Sequence, residues 1–166
     1  MTLTLDPDSN IELSAAWYRF RHEGSFGVGL LAGDFIRSQG GTDETGNKVT
    51  VDSGGINLGV DLAMHPARQL MVTAGPRIAL GLATQHVVNQ AYQDARGLMI
   101  TGALQAGVYF TPGDDPGHLV LGLEGGYMRW QSKANHHFNS GIASGTVDEV
   151  LNGNGGYGSL VIGVSF

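Results

Sequence analysis

The sequence predicts an all-β protein: an antiparallel up-and-down transmembrane β-barrel of eight strands, formed by one domain over residues 1–166. Three observations lead to this class. Glycine accounts for 27 of 166 residues, more than twice the usual share of roughly 7%. Apolar residues recur at every second position, which is the period of a strand. No apolar run reaches the ~18 residues that a membrane-spanning helix needs.

The strands are predicted from this alternation. A short strand at 2–6 with an outer turn at 7–10 is included because bacterial single-chain barrels have even strand numbers. The clearest alternation is at 56–64, where even positions are large and apolar and odd positions are Asn, Gly, Asp or Ala. The other strands are predicted at 10–20, 25–36, 72–84, 98–110, 118–131 and 157–166.

The connections between these strands alternate in length. Short turns are predicted at 21–24, 66–69 and 112–117, and longer polar loops at 38–48, 86–96 and 132–151. Outer-membrane barrels have short periplasmic turns and longer extracellular loops. We therefore expect a periplasmic carboxyl terminus, where the final aromatic residue, Phe166, fits an assembly signal. We also expect the sequence to be a mature form whose export leader has been removed.

The composition of the two strand faces favours a membrane barrel over a soluble one. Soluble proteins bury their large side chains and expose charged ones. Here the face opposite the large residues is mostly Gly, Ala, Ser and Thr, and only 14% of all residues are charged. Such a face suits a crowded lumen, so the Leu, Ile, Val and Phe side chains are expected to face lipid. A soluble, lipocalin-like barrel is the alternative.

Aromatic girdles are expected at both rims of the barrel, because Trp and Tyr favour membrane interfaces. The periplasmic girdle is predicted to contain Trp17, Tyr18, Phe20, Tyr109, Phe110 and Phe166. The outer girdle is predicted to contain Tyr127 and Trp130.

Polar residues on the inner face form the candidate site: Glu12, Asp61, Arg77, Gln105 and Glu124. Counting across the hairpins places Asp61 near Arg77, and Gln105 near Glu124. An eight-stranded barrel is just wide enough for side chains to fill it. These residues therefore predict a buried polar network that plugs the lumen. The alternative is a narrow path for water or ions, since the many glycines leave space.

The segment 136–149 suggests two weaker hypotheses. His137, Ser140 and a carboxylate from Asp148 or Glu149 could form a hydrolytic site like that of lipid A deacylases. The spacing departs from that family, which has one residue between His and Ser where this chain has two. The adjacent His136 and His137 could bind a transition metal weakly. A polar surface loop is the expected structure, with no catalytic residue, cofactor or metal.

Three segments resemble the YfaZ-like outer-membrane proteins. They are LDPDSNIELS at 5–14 with Trp17, GSFGVGLLAG at 24–33 and YGSLVIGVSF at 157–166. The architecture is also similar to the eight-stranded OmpA and OmpX barrels. The resemblance implies a small barrel in the outer membrane of a Gram-negative bacterium and transfers no catalytic residue.

The expected function is a structural or surface-interaction role through the extracellular loops, without enzyme activity. A porin-like channel is the alternative, and a lipid A-modifying enzyme comes third. The expected partners are the lipid bilayer, lipopolysaccharide and the outer-membrane assembly machinery, and the protein is expected to be a monomer. Nucleic acid is excluded because the net charge is -6 and no cluster of Lys and Arg could neutralise phosphates.

Overall fold

The computed structural model describes residues 4–5, 9–21, 26–42, 48–87, 94–112, 117–139 and 144–165. Within these ranges, no helix is long and apolar enough to cross a membrane. The strands are β1 (Thr4–Leu5), β2 (Ser9–Phe20), β3 (Gly27–Thr42), β4 (Lys48–Ala67), β5 (Leu70–Val87), β6 (Ala95–Phe110), β7 (Leu119–Asn139) and β8 (Ser144–Val164).

All strands belong to one antiparallel sheet that curls into a half-barrel. From β2 to β8, each strand pairs with the next one along the chain. The connection between β4 and β5 is a tight turn at 68–69, and Gly117, before β7, has a φ of 88°, a conformation that favours glycine. The predicted all-β, antiparallel, up-and-down fold is confirmed.

The first strand differs from the prediction. Thr4 pairs with Thr42 and Ser9 pairs with Ser38, so β1 and β2 lie along the same edge of β3. Leu5 pairs with Gly41, so the chain advances four residues from Leu5 to Ser9 while β3 advances three. The predicted outer turn at 7–10 is wrong at its end, because Ser9 and Asn10 belong to β2. Residues 6–8 lie outside the described ranges.

The two edges of the sheet run in the same direction. Six antiparallel pairings separate β2 from β8, so these two strands are parallel to each other. Cα atoms of β1 lie within 8 Å of Cα atoms of β8. Among the described residues, no backbone pair joins β2 to β8. We call this boundary the β2–β8 seam.

Most large aliphatic residues point away from the inner face, as the alternation predicts, whereas Leu31, Val49, Val51 and Leu151 are buried. Leu62 is 65% exposed, Leu82 72% and Leu104 69%. We call the exposed apolar set the outer belt: Ile11, Leu13, Trp17, Phe26, Val28, Leu30, Ile36, Ile56, Leu58, Val60, Leu62, Met64, Ile78, Leu80, Leu82, Leu98, Ile100, Leu104, Val108, Phe110, Leu119, Leu121, Leu123, Tyr127, Val150, Leu160, Ile162 and Val164.

The strands continue past the outer belt at one end of the sheet. We call this the extended end; it carries the connections at 43–47, 88–94 and 140–143, and the opposite end is the short end. The predicted loop at 132–151 is mostly wrong, because β7 runs to Asn139 and β8 begins at Ser144. Alternation persists there in polar form, with Ser132 and His136 buried and Lys133 exposed. The polar composition concealed the strand.

Large side chains also fill part of the inner face, towards the extended end. A buried apolar cluster consists of Phe35, Val49, Val51, Ala79, Ala83, Met99, Met128, Trp130 and Leu151. Trp130 is 1% exposed and Leu151 is fully buried. The predicted place of Trp130 in an outer girdle is therefore wrong. Trp130 pairs with Gly153 on β8. Paired residues share one face of a sheet, and both of these residues lie on the inner face.

The predicted periplasmic girdle is likewise divided between two faces. Trp17 and Phe110 are exposed on the outer face, whereas Tyr109 is buried and Tyr18 half-buried on the inner one. The Tyr18 ring lies directly over Gly29, where a Cβ atom would come within 2.3 Å of the ring. Inward glycines thus leave the space into which inward rings pack, as in the aromatic rescue of sheet glycines.

Candidate functional site in the sheet interior

A buried ion pair joins β4 to β5 on the inner face. Arg77 donates from Nη1 to Asp61 Oδ1 at 2.7 Å and from Nη2 to Asp61 Oδ2 at 2.8 Å. The Tyr18 hydroxyl on β2 donates to Asp61 Oδ2 at 3.0 Å. Asp61 is 1% exposed and Arg77 7%. A buried charge is tolerated when it is paired and hydrogen-bonded, and this arrangement provides both for Asp61.

Glycines make the close approach of this pair possible. The Arg77 side chain crosses Gly59, where a Cβ atom would lie 2.4 Å from Nη1. A Cβ atom on Gly75 would lie 2.7 Å from Asp61 Oδ1 and 1.8 Å from a backbone oxygen. The two glycines therefore form the floor beneath the ion pair.

A second polar centre surrounds Glu124 on β7. The Tyr109 hydroxyl donates to Glu124 Oε1, and the Ser159 hydroxyl donates to Oε2 at 3.3 Å. Tyr157 on β8 donates to Gln105 Oε1 at 2.9 Å. Gln105 and Glu124 thus lie near each other but bind different tyrosines. The sequence did not identify the tyrosines as their partners.

A cavity of about 370 Å³ lies between these polar centres and the β2–β8 seam. Four of the five predicted residues line it: Glu12, Arg77, Gln105 and Glu124. Asp61 is absent from the lining. The structure therefore brings the predicted residues into one region, with the Asp61 carboxylate held by Arg77.

Three buried polar atoms at this cavity have no hydrogen-bond partner among the described residues. They are Asn57 Oδ1, Thr101 Oγ1 and Arg77 Nε, and all three residues line the cavity. Asn57 is 6% exposed and Thr101 4%. Buried polar atoms are normally paired, so these three are unusual. The alternation placed Asn57 and Thr101 on the inner face, but nothing in the sequence indicated that they would lack partners.

The paired-histidine metal site does not form in the described structure, and the hydrolytic hypothesis stays untested because it depends on Ser140. His136 is fully buried, with Nε2 2.8 Å from Gln85 Oε1 and 3.3 Å from Glu149 Oε2. His137 is exposed on the opposite face of β7, so the two histidines cannot bind one metal ion together. Glu149 contacts His136 instead of His137, and Ser140 lies outside the described residues. Within the described ranges, no group of three His, Cys, Asp or Glu side chains could hold a metal.

The fold and interior define a curled antiparallel sheet with an apolar outer face and a partly charged, partly filled inner face. No family model, no curated protein and no solved structure matches the chain. The geometry of the sheet is consequently the evidence for a function, and the resemblance to YfaZ-like proteins stays a prediction.

Proposed function

We propose that this protein is an integral β-barrel of a Gram-negative outer membrane, with a structural or surface-interaction role at its extended end. The exposure of the outer belt is the observation that carries this proposal. Monomeric soluble proteins rarely expose contiguous apolar patches larger than a few hundred Å², and here exposed apolar side chains occur on every strand from β2 to β8. Acyl chains remove that surface from water, whereas a soluble barrel would leave it wet.

The height of the outer belt suits a bilayer. The belt extends from Ile56 to Met64 on β4 and from Leu98 to Phe110 on β6. At roughly 3.3 Å per residue, these spans measure about 26 and 40 Å along the strands. A strand tilt of ~40° reduces them to about 20 and 30 Å, which bracket the ~25 Å apolar band of outer-membrane barrels.

Most charged residues on the outer face lie beyond the belt or near its margin. Arg96 follows the belt towards the extended end, and Arg68 lies in the turn at the short end. Arg129 follows the last belt residue of β7 but pairs with Gly102, within the belt of β6. Asp34 is exposed on the outer face of β3, where it pairs with Ile56 and precedes the exposed Ile36. Its carboxylate is therefore one outward position inside the end of the belt, near the interface of the proposed bilayer, where a charge costs far less than at the midplane.

The filled inner face supports a plugged interior over an open pore. Trp130, Met99 and Leu151 occupy the inner face towards the extended end and are 1% exposed or less. A water-filled path through this region would need polar or charged lining residues. The cavity of about 370 Å³ keeps a narrow channel as the second candidate, because Glu12, Arg77 and Glu124 line it beside the apolar cluster.

The two tryptophans test the proposal directly, because Trp17 is 63% exposed in the outer belt and Trp130 is 1% exposed inside. Trp130→Phe retains only Trp17, and Trp17→Phe retains only Trp130. Each variant is reconstituted into liposomes that contain lipids brominated on the acyl chains. We expect strong quenching of Trp17 fluorescence and weak quenching of Trp130. Equal quenching of both, or a folded protein that stays in the aqueous phase, would refute membrane integration in this orientation.

A further inference from the structure

We propose that the cavity at the β2–β8 seam binds a single-chain amphiphile with an uncharged, hydroxyl-bearing head group. This inference rests on the proposed membrane location and adds a ligand class to it. The head group would lie on the inner face at Asn57, Thr101 and Arg77, and the apolar chain would leave through the seam.

The polar atoms of the cavity indicate the head group. Asn57 Oδ1 can only accept a hydrogen bond, Arg77 Nε can only donate one, and Thr101 Oγ1 can do both. A ligand that pairs with all three must therefore both donate and accept. A hydroxyl group does so at a single atom.

The charges around the cavity favour a head group without net charge. Its lining contains two carboxylates, from Glu12 and Glu124, and two guanidinium groups, from Arg37 and Arg77. Arg77 is already paired with Asp61, so the region holds three carboxylates against two guanidinium groups. An anionic head group would meet this excess of negative charge, and a cationic one would lie against Arg77 Nε, which can only donate a hydrogen bond. An uncharged head group avoids that repulsion and still satisfies the buried polar atoms.

The opposite wall of the cavity indicates the apolar chain. Leu13 on β2 and Leu160 and Ile162 on β8 line the cavity, and the same residues are 79%, 70% and 67% exposed in the outer belt. The cavity thus reaches the apolar outer surface at the seam, where no backbone pair joins the described residues of the two strands. Its volume of about 370 Å³ falls in the range of small-molecule sites, roughly 300–1,000 Å³.

The test uses 1-monolauroylglycerol as the probe and native mass spectrometry of the full chain released from detergent micelles. We expect one bound probe per protein, and weaker binding of laurate, which has the same chain length and a charged head. In the Asn57→Leu/Thr101→Val variant, the loss of two hydrogen-bonding groups should weaken binding by about tenfold or more. The control variant Asn152→Leu/Thr84→Val makes the same changes outside the cavity and should bind like wild type.

A second pair of variants tests the seam without removing a polar group. Gly163 lines the cavity, and a Cβ atom there meets only Val120 at 3.9 Å, so Gly163→Leu should fold and obstruct the cavity. Gly158 is exposed on the outer face and tolerates a Cβ atom equally well, which makes Gly158→Leu the matched control. We expect probe binding to fall in Gly163→Leu alone.

The possible outcomes separate this inference from the proposed function. If Trp17 is quenched by brominated lipid but no saturable single probe binds, the cavity holds water only and the inference is overturned. It is also overturned if both cavity variants bind like wild type, or if laurate binds more tightly than monolauroylglycerol. If Trp17 is not quenched, the membrane proposal itself fails.

Discussion

Asp61 and Arg77 meet through two hydrogen bonds of 2.7 and 2.8 Å although 16 residues separate them in the chain. They are joined across the β4–β5 hairpin, in which Gly59 pairs with Arg77. The Arg77 guanidinium group therefore crosses over Gly59 and reaches the Asp61 carboxylate, which lies two residues later on β4. The glycine-rich strands thus leave room for two opposite charges to pair in the interior.

Breaking this ion pair from one side should destabilise the protein strongly. Asp61→Asn leaves the Arg77 guanidinium buried beside a neutral amide, and we expect a loss of about 3 kcal/mol in the free energy of unfolding. The double variant Asp61→Leu/Arg77→Met removes both charges and should lose less. Urea unfolding in detergent micelles or liposomes measures both values.

The exposed Asp52 provides the control for this experiment. Asp52 is 52% exposed and contacts His86 Nε2 at 3.2 Å, so Asp52→Asn should change stability by less than about 1 kcal/mol. An Asp61→Asn variant as stable as Asp52→Asn would show that the interior pair is well hydrated, contrary to the proposed plug.

The contact between Trp130 and Gly153 should be sensitive to one methyl group. A Cβ atom on Gly153 would lie 2.4 Å from the indole ring, whereas one on Gly155 meets no atom within 4 Å. We expect Gly153→Ala to lower the free energy of unfolding by about 1–3 kcal/mol through overpacking. Gly155→Ala, on the same face of the same strand, should have little effect in the same unfolding measurement. Equal effects of the two substitutions would mean that the ring does not pack over Gly153.

Conductance in planar bilayers should distinguish the plugged interior from the channel alternative. We expect no steady single-channel steps from the wild-type protein, because Trp130 and Leu151 fill the inner face. A narrow pore would instead give steps whose size or selectivity changes in Glu124→Gln, since that carboxylate lines the cavity. Such charge-dependent steps would favour the channel.

The orientation of the proposed barrel can be tested with introduced cysteines, because the natural chain contains none. His137 lies exposed on β7 near the extended end, and Arg68 lies exposed in the turn at the short end. In intact cells, a membrane-impermeant maleimide should label His137→Cys and leave Arg68→Cys unlabelled until the outer membrane is permeabilised. Ser132→Cys, at a fully buried position, should remain unlabelled in both conditions. The reverse labelling pattern at positions 137 and 68 would invert the proposed topology.

Short-range patterning explains which parts of the fold could be predicted. Each hairpin connects neighbouring strands, so the alternation at 56–64 and 72–84 was enough to place Asp61 and Arg77 on the same inner face. The strand extensions at 132–139 and 144–151 were missed because polar residues on both faces hide the alternation. The first strand was misplaced because its assignment relied on an even strand number rather than on a signal in residues 2–6.

By itself, the sequence determined the strand period, the outward face of most large aliphatic residues, and the proximity of Asp61 and Arg77 across one hairpin, because these depend on the parity of nearby residues. Only the tertiary structure decided which inner-face residues meet across the curled sheet. Trp130 joins Leu151 and Met99 in an apolar cluster, and Asn57 and Thr101 come to line one cavity at the β2–β8 seam. Those contacts depend on the curvature and stagger of seven long strands, which accumulate over the whole sheet and leave no mark in any single segment.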